Sequence, residues 1–327
     1  MIADSRRTLL KTASGLLLAA ALPGAAWAAD RPKEVRLDYA TYSPTSLVLK
    51  HSGWAEAAFK AQGIEVRWVL STGSARALEY LNSGGIDFAS TAGLASVLSR
   101  ANGNPVKAVY VYSRPEWTAL VVPKDSPVRT IGDLKGKKIA AAPGTDAYLF
   151  LLRALHTQGL TKADIQHVSL PHADGRAALE QRRVDAWGGL DPLMAASQLE
   201  AGSRILYRNV DFNTYGFLNT SEAFAQRYPD TVRQVIGLYE RARLWLLADP
   251  QAAAELLSQE AKVSLPVAKL QLSRNDFSRP VIGAEQAKAL KAAAPILSQE
   301  KLIKAGVSAD GVVDALIDPS FARAVIR

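Results

Sequence analysis

The chain has 327 residues, enough for two lobes with separate cores, and its 48% hydrophobic and 21% charged residues are those of an ordinary globular protein. It contains no cysteine, which excludes disulfides, a thiol nucleophile, a lipidated cysteine and any cysteine metal site. Its four histidines, His51, His156, His167 and His172, lack metal-ligand spacing. The formal charge of +8 is spread along the chain rather than gathered in a tract, which argues against nucleic acid and leaves anionic membranes and small anions as partners.

The N-terminus opens with Ser5-Arg6-Arg7, then Leu9, Leu10 and Lys11, an apolar run over 13–22, and Ala26-Trp27-Ala28. This is the order of an export signal peptide, 1–28, with a small-x-small cleavage site. The paired arginines resemble a twin-arginine signal, and a general secretory leader is the alternative. Without it the chain carries about +6 and begins near Ala29. No later stretch is long and apolar enough to span a bilayer.

From there, strands and helices alternate. Residues 35–40 read as a strand, 41–46 as a loop and 47–61 as a helix ended by Gly63. A strand over 64–70, the loop Ser71-Thr72-Gly73-Ser74 and a helix over 75–81 follow. A third strand over 86–89 leads through Ser90-Thr91-Ala92-Gly93 into a helix over 94–101, and 106–112 is a fourth strand. Alternating elements predict an α/β fold whose ligand lies outside the carboxyl ends of its strands. The hydroxyl residues in these loops are either helix N-caps or ligand donors.

Ser113-Arg114-Pro115-Glu116-Trp117 reads as a hinge into a second α/β unit, whose first strand is 118–122. The stretch IGDLKGKKIAAAPGTDAY, 131–148, then joins a short strand at 139–142 to a helix over 148–156 through Pro143-Gly144-Thr145. A small-residue loop that ends a strand and delivers a helix N-terminus is a natural anion seat. Further on come a strand over 165–170, the loop 171–175, a helix over 176–183 and a strand over 184–189. Asp191-Pro192 opens a helix over 193–200. Tyr215-Gly216-Phe217-Leu218 reads as a return crossing, and the chain from Ser221 onward is helical.

Several of these segments, in order, resemble the periplasmic solute-binding proteins of alkanesulfonate, taurine and nitrate uptake systems. They are Gly84-Gly85-Ile86-Asp87-Phe88, DLKGKKIA followed by PGT, ADGRAALEQRRVDAW (173–187), Leu190-Asp191-Pro192 and NTSEAFAQRYPDTVRQVI (219–236). The resemblance runs from about Val35 to Leu246. It implies a type II periplasmic-binding-protein fold: two α/β lobes with mixed, mostly parallel sheets and a central ligand cleft. Lobe 1 is then 29–116 with 217–327, and lobe 2 is 117–216. It also implies capture of a small organic anion, an aliphatic sulfonate or taurine-like compound, by a monomer in the periplasm, and delivery to an ABC permease in the inner membrane. No cofactor and no catalysis are expected. The alternative is a related enzyme of thiamine pyrimidine precursor synthesis, against which the lack of cysteine argues. The chain departs from the family at Leu190, Thr72-Gly73-Ser74 and 90–93, loops that face the ligand, so ligand identity stays open.

The expected ligand contacts are Tyr42, Ser43, Thr72, Gly73, Thr91, Ala92, Arg114, Thr145, Asp146, Trp187, Asp191 and Tyr215. Arg114 is either an anion clamp or the partner of Glu116. Trp187 either stacks on the ligand or lies in the core. Asp191 also suits a helix N-cap. Asp146, if it faces the cleft, favours a ligand that carries a positive group.

Overall fold

A computed structural model describes residues 30–326; the leader expected over 1–28 lies outside the described residues. The strands are β1 (Glu34–Tyr39), β2 (Glu65–Leu70), β3 (Phe88–Ala92), β4 (Val106–Pro115), β5 (Thr118–Val122), β6 (Lys138–Ala141), β7 (Gln166–Ser169), β8 (Ala186–Leu190), β9 (Arg204–Tyr207), β10 (Gly216–Ser221) and β11 (Asn275–Asp276). They form two sheets, ordered β11-β4-β10-β3-β1-β2 and β7-β6-β8-β5-β9.

Each sheet is mixed for one reason. The βα repeats supply a parallel half, β2-β1-β3 in one sheet and β7-β6-β8 in the other. The strand that arrives from the other unit then runs antiparallel beside it: β10 against β3 and β4, and β5 against β8 and β9. The chain passes between the sheets at Glu116-Trp117, between β4 and β5, and again between β9 and β10.

Strands β3, β5 and β8 are buried along their whole length because helices cover both faces, so they read as apolar or small-residue runs rather than alternations. β2 is an edge strand with exposed Glu65 and Leu70. The main core is built on Leu37, Leu47, Phe59, Phe88, Tyr110 and Phe217, and extends through Trp117 to Phe150 of the second unit.

Three local departures from the sequence reading have identifiable causes. The helix expected over 47–61 is two, Pro44–Ser52 and Trp54–Lys60, because Gly53 takes φ 65° between them. The helix expected over 148–156 starts at Asp146, with Thr145 as its N-cap. The segment 171–175, read as a loop, is already the first turn of the helix His172–Glu180, directly after Pro171. Among the described residues, no helix is long and apolar enough to cross a membrane and no group of acidic and histidine side chains is arranged to hold a metal ion.

Candidate functional site

A cleft of about 230 Å³ opens between the two sheet units. Three strands end at it, and each hands over to a helix whose N-terminus points into it. Thr72 and Gly73, with Ala75, Arg76 and the Glu79 bonded to it, come from the loop after β2 and the helix Ser74–Asn82. Ala142, Pro143 and Thr145 precede the helix Asp146–His156 after β6. Ser169, Leu170, Pro171 and His172 come from the end of β7 and the start of the helix His172–Glu180. The first amides of a helix have no intrahelical acceptor, and the aligned peptide dipoles make each N-terminus positive. Three of them converging give a site for negative charge.

The two units touch along this edge. A Cβ added at Gly73 would stand 3.2 Å from His172 Nε2, and one at Gly144 would stand 3.3 Å from the Ala75 methyl group. Glycine at both positions is what allows so close an approach. Gly144 also needs it for its backbone, at φ 73°.

Of the expected contacts, Thr72, Gly73 and Thr145 line this cleft. The Thr145 hydroxyl donates to Ala142 O at 2.7 Å and accepts from Tyr148 N–H, so its side chain serves as a cap and its helix supplies the free amides. Ser43 is fully buried with no partner on its hydroxyl. Tyr42 donates from its phenol to Ser90 O and packs edge-on against Trp117 at 5.7 Å.

The others are occupied elsewhere. The Thr91 hydroxyl is held by Asn219 and Ser96, both at 2.6 Å, inside the first unit. The Ala92 amide donates to Ser74 Oγ at 2.9 Å. Trp187 stands in the core of the second unit, where its indole lies against Gly175, so of the two expectations for it the core is the one observed. Asp191 caps its helix by accepting from Ala195 N–H, and it pairs with Arg274 Nη1 at 3.0 Å while both side chains are buried. Burial pushes its carboxyl up to about 6 against the guanidinium, which holds it ionised at neutral pH. Arg114 is half-exposed, 3.5 Å from Asp211 and over the Tyr215 ring, and Glu116 pairs with Arg208 instead. The Tyr215 phenol donates to Glu285 Oε1 at 2.9 Å. These last groups are not among the cleft lining, so Arg76, not Arg114, is the cation present there.

Asp146 faces the hinge. Its carboxylate accepts from Trp117 Nε1 at 2.9 Å, from Thr214 N at 3.2 Å and from Thr214 Oγ1 at 2.8 Å. Trp117 belongs to one crossing and Thr214 to the other. The Thr214 hydroxyl in turn accepts from Leu94 N–H at 3.0 Å, at the start of the helix Gly93–Ala101. One carboxylate therefore ties both crossings to helix N-termini in both units. Burial raises its pKa, and the indole and Thr214 bonds oppose that rise.

Sequence reasoning missed three groups. Asp38 is fully buried, with Oδ1 accepting from Ser90 N–H at 2.8 Å and Oδ2 unpartnered, and burial pushes it up to about 6. The β1 alternation put Leu37 inside and gave no sign that its neighbour is buried too. Arg76, bonded to Glu79 at 2.6 Å, lay in a segment read only as helix. His172 falls in the segment that reads as a loop, although Pro171 before it and Asp174 in the same first turn are helix-start signals.

The family described as NMT1/THI5 like matches residues 47–253. A protein of Escherichia coli (strain K12) named as an aliphatic sulfonates-binding protein is 30% identical over 263 residues, 80% of this chain and 82% of that one. A Bacillus subtilis (strain 168) protein of the same name is 26% identical over 285 residues, 86% of each chain. Among solved structures, the alkanesulfonate-binding protein SsuA from Xanthomonas axonopodis pv. citri bound to MOPS superposes with a TM-score of 0.81 at 28% identity, covering 89% of this chain and 99% of that one. The periplasmic aliphatic sulphonate binding protein SsuA from Escherichia coli gives 0.76 at 27%, covering 89% and 94%. With the two-sheet architecture and the interlobe cleft these matches agree: the chain belongs to the NMT1/THI5-like family and has the periplasmic-binding-protein fold.

Proposed function

We propose that this protein captures a small organic anion, an aliphatic sulfonate, in the cleft and delivers it to an ABC permease in the inner membrane, acting in the periplasm as a monomer and without turnover. The observation that carries the reading is the convergence of three helix N-termini on one cleft, where the charge of Arg76 is balanced by Glu79 of the same lining. A sulfonate spreads one charge over three oxygens, and three sets of free amides from different directions suit that shape. The relatives named for aliphatic sulfonates, and the neighbour bound to MOPS, support the same chemistry.

Lobe 1 (29–116 with 217–327) and lobe 2 (117–216) move as rigid bodies about the two crossings, and ligand closes them. Because both Asp146 oxygens are committed to the hinge and the Glu79 carboxylate in the cleft is paired with Arg76, no unpaired carboxylate faces the ligand's tail from either residue. Ethanesulfonate should therefore bind at least as well as taurine. Calorimetric titration with ethanesulfonate, taurine and nitrate, with NMR of the recovered ligand, tests the reading. One site per chain and intact ligand are expected. No binding of any of the three, or conversion of the ligand to product, would overturn it.

A further inference from the structure

His172 is 4% exposed, and neither ring nitrogen has a hydrogen-bond partner. It occupies the first turn of the nine-residue helix His172–Glu180 and lines the anion cleft, with its ring against Gly73 of the opposite unit. Its two nitrogens are idle in the empty cleft, where burial and the positive helix N-terminus both favour the neutral ring. A neutral ring has one N–H and one lone pair, so it can offer an incoming anion one donor at most, and a lone pair turned to the anion's oxygen would repel it. An imidazolium beside an anion would use both nitrogens as donors.

We propose that His172 takes up one proton from the solvent as an anion enters the cleft and holds the anion as an imidazolium, so that capture is coupled to proton uptake. This rests on the reading of the cleft as an anion site. The proton comes from water or buffer acid, no covalent bond changes, and the anion's charge is balanced where it binds. In the empty cleft, burial holds His172 down at about 4, so the ring is neutral at pH 7. An opposite charge within a few ångströms favours the charged form and lifts that value in the complex.

The surrounding charged groups leave this coupling to the histidine. From the facing helix Ser74–Asn82, Arg76 and Glu79 are bonded to each other. Asp146 of the neighbouring helix is bound to the hinge. On the histidine's own helix, Arg176 is bonded to Glu180 and to Glu200 of the helix Leu193–Glu200, and Asp174 is exposed. Below it in the sheet, Asp185 accepts from the Lys138 amide, the Lys138 residue is exposed, and Asp191 is paired with Arg274. None of these is bonded to the ring.

Ethanesulfonate is the probe because a sulfonate does not titrate in the useful range, so any proton taken up belongs to the protein. Calorimetry is run from pH 5 to 8 in pairs of buffers with different ionisation heats. The wild type should take up about one proton per ligand near pH 5–6, and its affinity should fall by up to about tenfold per pH unit until the complex's own pKa is passed, then level off. His172→Gln, which keeps an N–H donor of similar reach but cannot be charged, should bind more weakly with a flat pH profile and no uptake. The proton NMR signal of the His172 ring should move to its imidazolium position on adding ethanesulfonate, and this reads the wild-type chain even if the variant does not fold. Binding without proton uptake, an unmoved ring signal, or uptake that persists in His172→Gln would overturn the inference and leave the sulfonate reading intact. No binding of ethanesulfonate to the wild type would overturn both.

Discussion

Asp146→Ala isolates the tie between the two crossings. The carboxylate serves three donors, the Trp117 indole and the Thr214 amide and hydroxyl, and all three residues are at most 3% exposed. A buried donor left without an acceptor costs about 1–3 kcal/mol, so three amount to roughly 3–9 kcal/mol gross. Two terms reduce this. Removing the carboxylate relieves its own burial, which its raised pKa registers, and the Thr214 hydroxyl can turn toward another acceptor while still receiving the Leu94 amide. Loss of the negative charge at the helix N-terminus adds back a few tenths of a kcal/mol. We expect a net destabilisation of about 3–5 kcal/mol, comparable to breaking a buried charge pair, and a fall in Tm of roughly 6 °C or more. Urea denaturation followed by fluorescence and scanning calorimetry measure it. Because the carboxylate does not line the cleft, affinity for ethanesulfonate at a temperature where the variant is folded should change less than about threefold. A variant within about 0.5 kcal/mol of wild type would refute the hinge role. A stable variant that has lost ligand would restore the ligand role expected from the sequence.

Thr145→Ala keeps every amide at the seat and loses only the cap, so it should lower stability by about 1 kcal/mol and affinity less than tenfold. Thr145→Pro removes an amide and should bind ethanesulfonate more weakly than Thr145→Ala; equal titration curves for the two would move the seat elsewhere. Arg274→Ala leaves the buried Asp191 without its cation and should cost about 3–5 kcal/mol in urea denaturation; a loss below about 1 kcal/mol would mean the pair contributes little. Asp38 is raised from 3.8 to about 6, so the stability tied to its protonated form is present below pH 3.8 and is lost as the pH rises through 6. Asp38→Asn cannot ionise and should therefore gain on the wild type by up to about 3 kcal/mol between pH 4 and pH 7. A stability difference that stays constant across denaturation curves in that range would count against a buried ionised Asp38.

The local rules reached a good part of this protein. Periodicity and punctuation were enough for the βα order, for the crossing at Trp117 and for the Pro143-Gly144-Thr145 helix start, because hydrophobic period, capping hydroxyls and glycine turns act over a few residues. They also point to two of the three segments that line the cleft, at Thr72-Gly73 and Pro143-Gly144-Thr145, but not to the one at His172. What they left open was the direction in which each polar side chain turns. Thr91, Ala92, Asp146 and Asp191 all lie near strand ends or helix starts that read as ligand-facing, yet each is bonded into the scaffold by a residue 18 to 128 positions away. Asp146 and Thr145 are adjacent in the chain and identical to any local rule that seeks helix caps. Thr145 lines the cleft and Asp146 binds the hinge, because Thr145 is the extended N-cap, at φ −109° and ψ 163°, while Asp146 is the first residue of the helix proper. Whether Asp146 ends at a ligand or at Trp117 depends on where the second crossing brings Thr214, which no short-range pattern encodes. The same holds for Asp38 and His172, whose titration is set by burial that exists only once distant parts of the chain have packed, strand β3 against Asp38 and the opposite unit's Gly73 against His172.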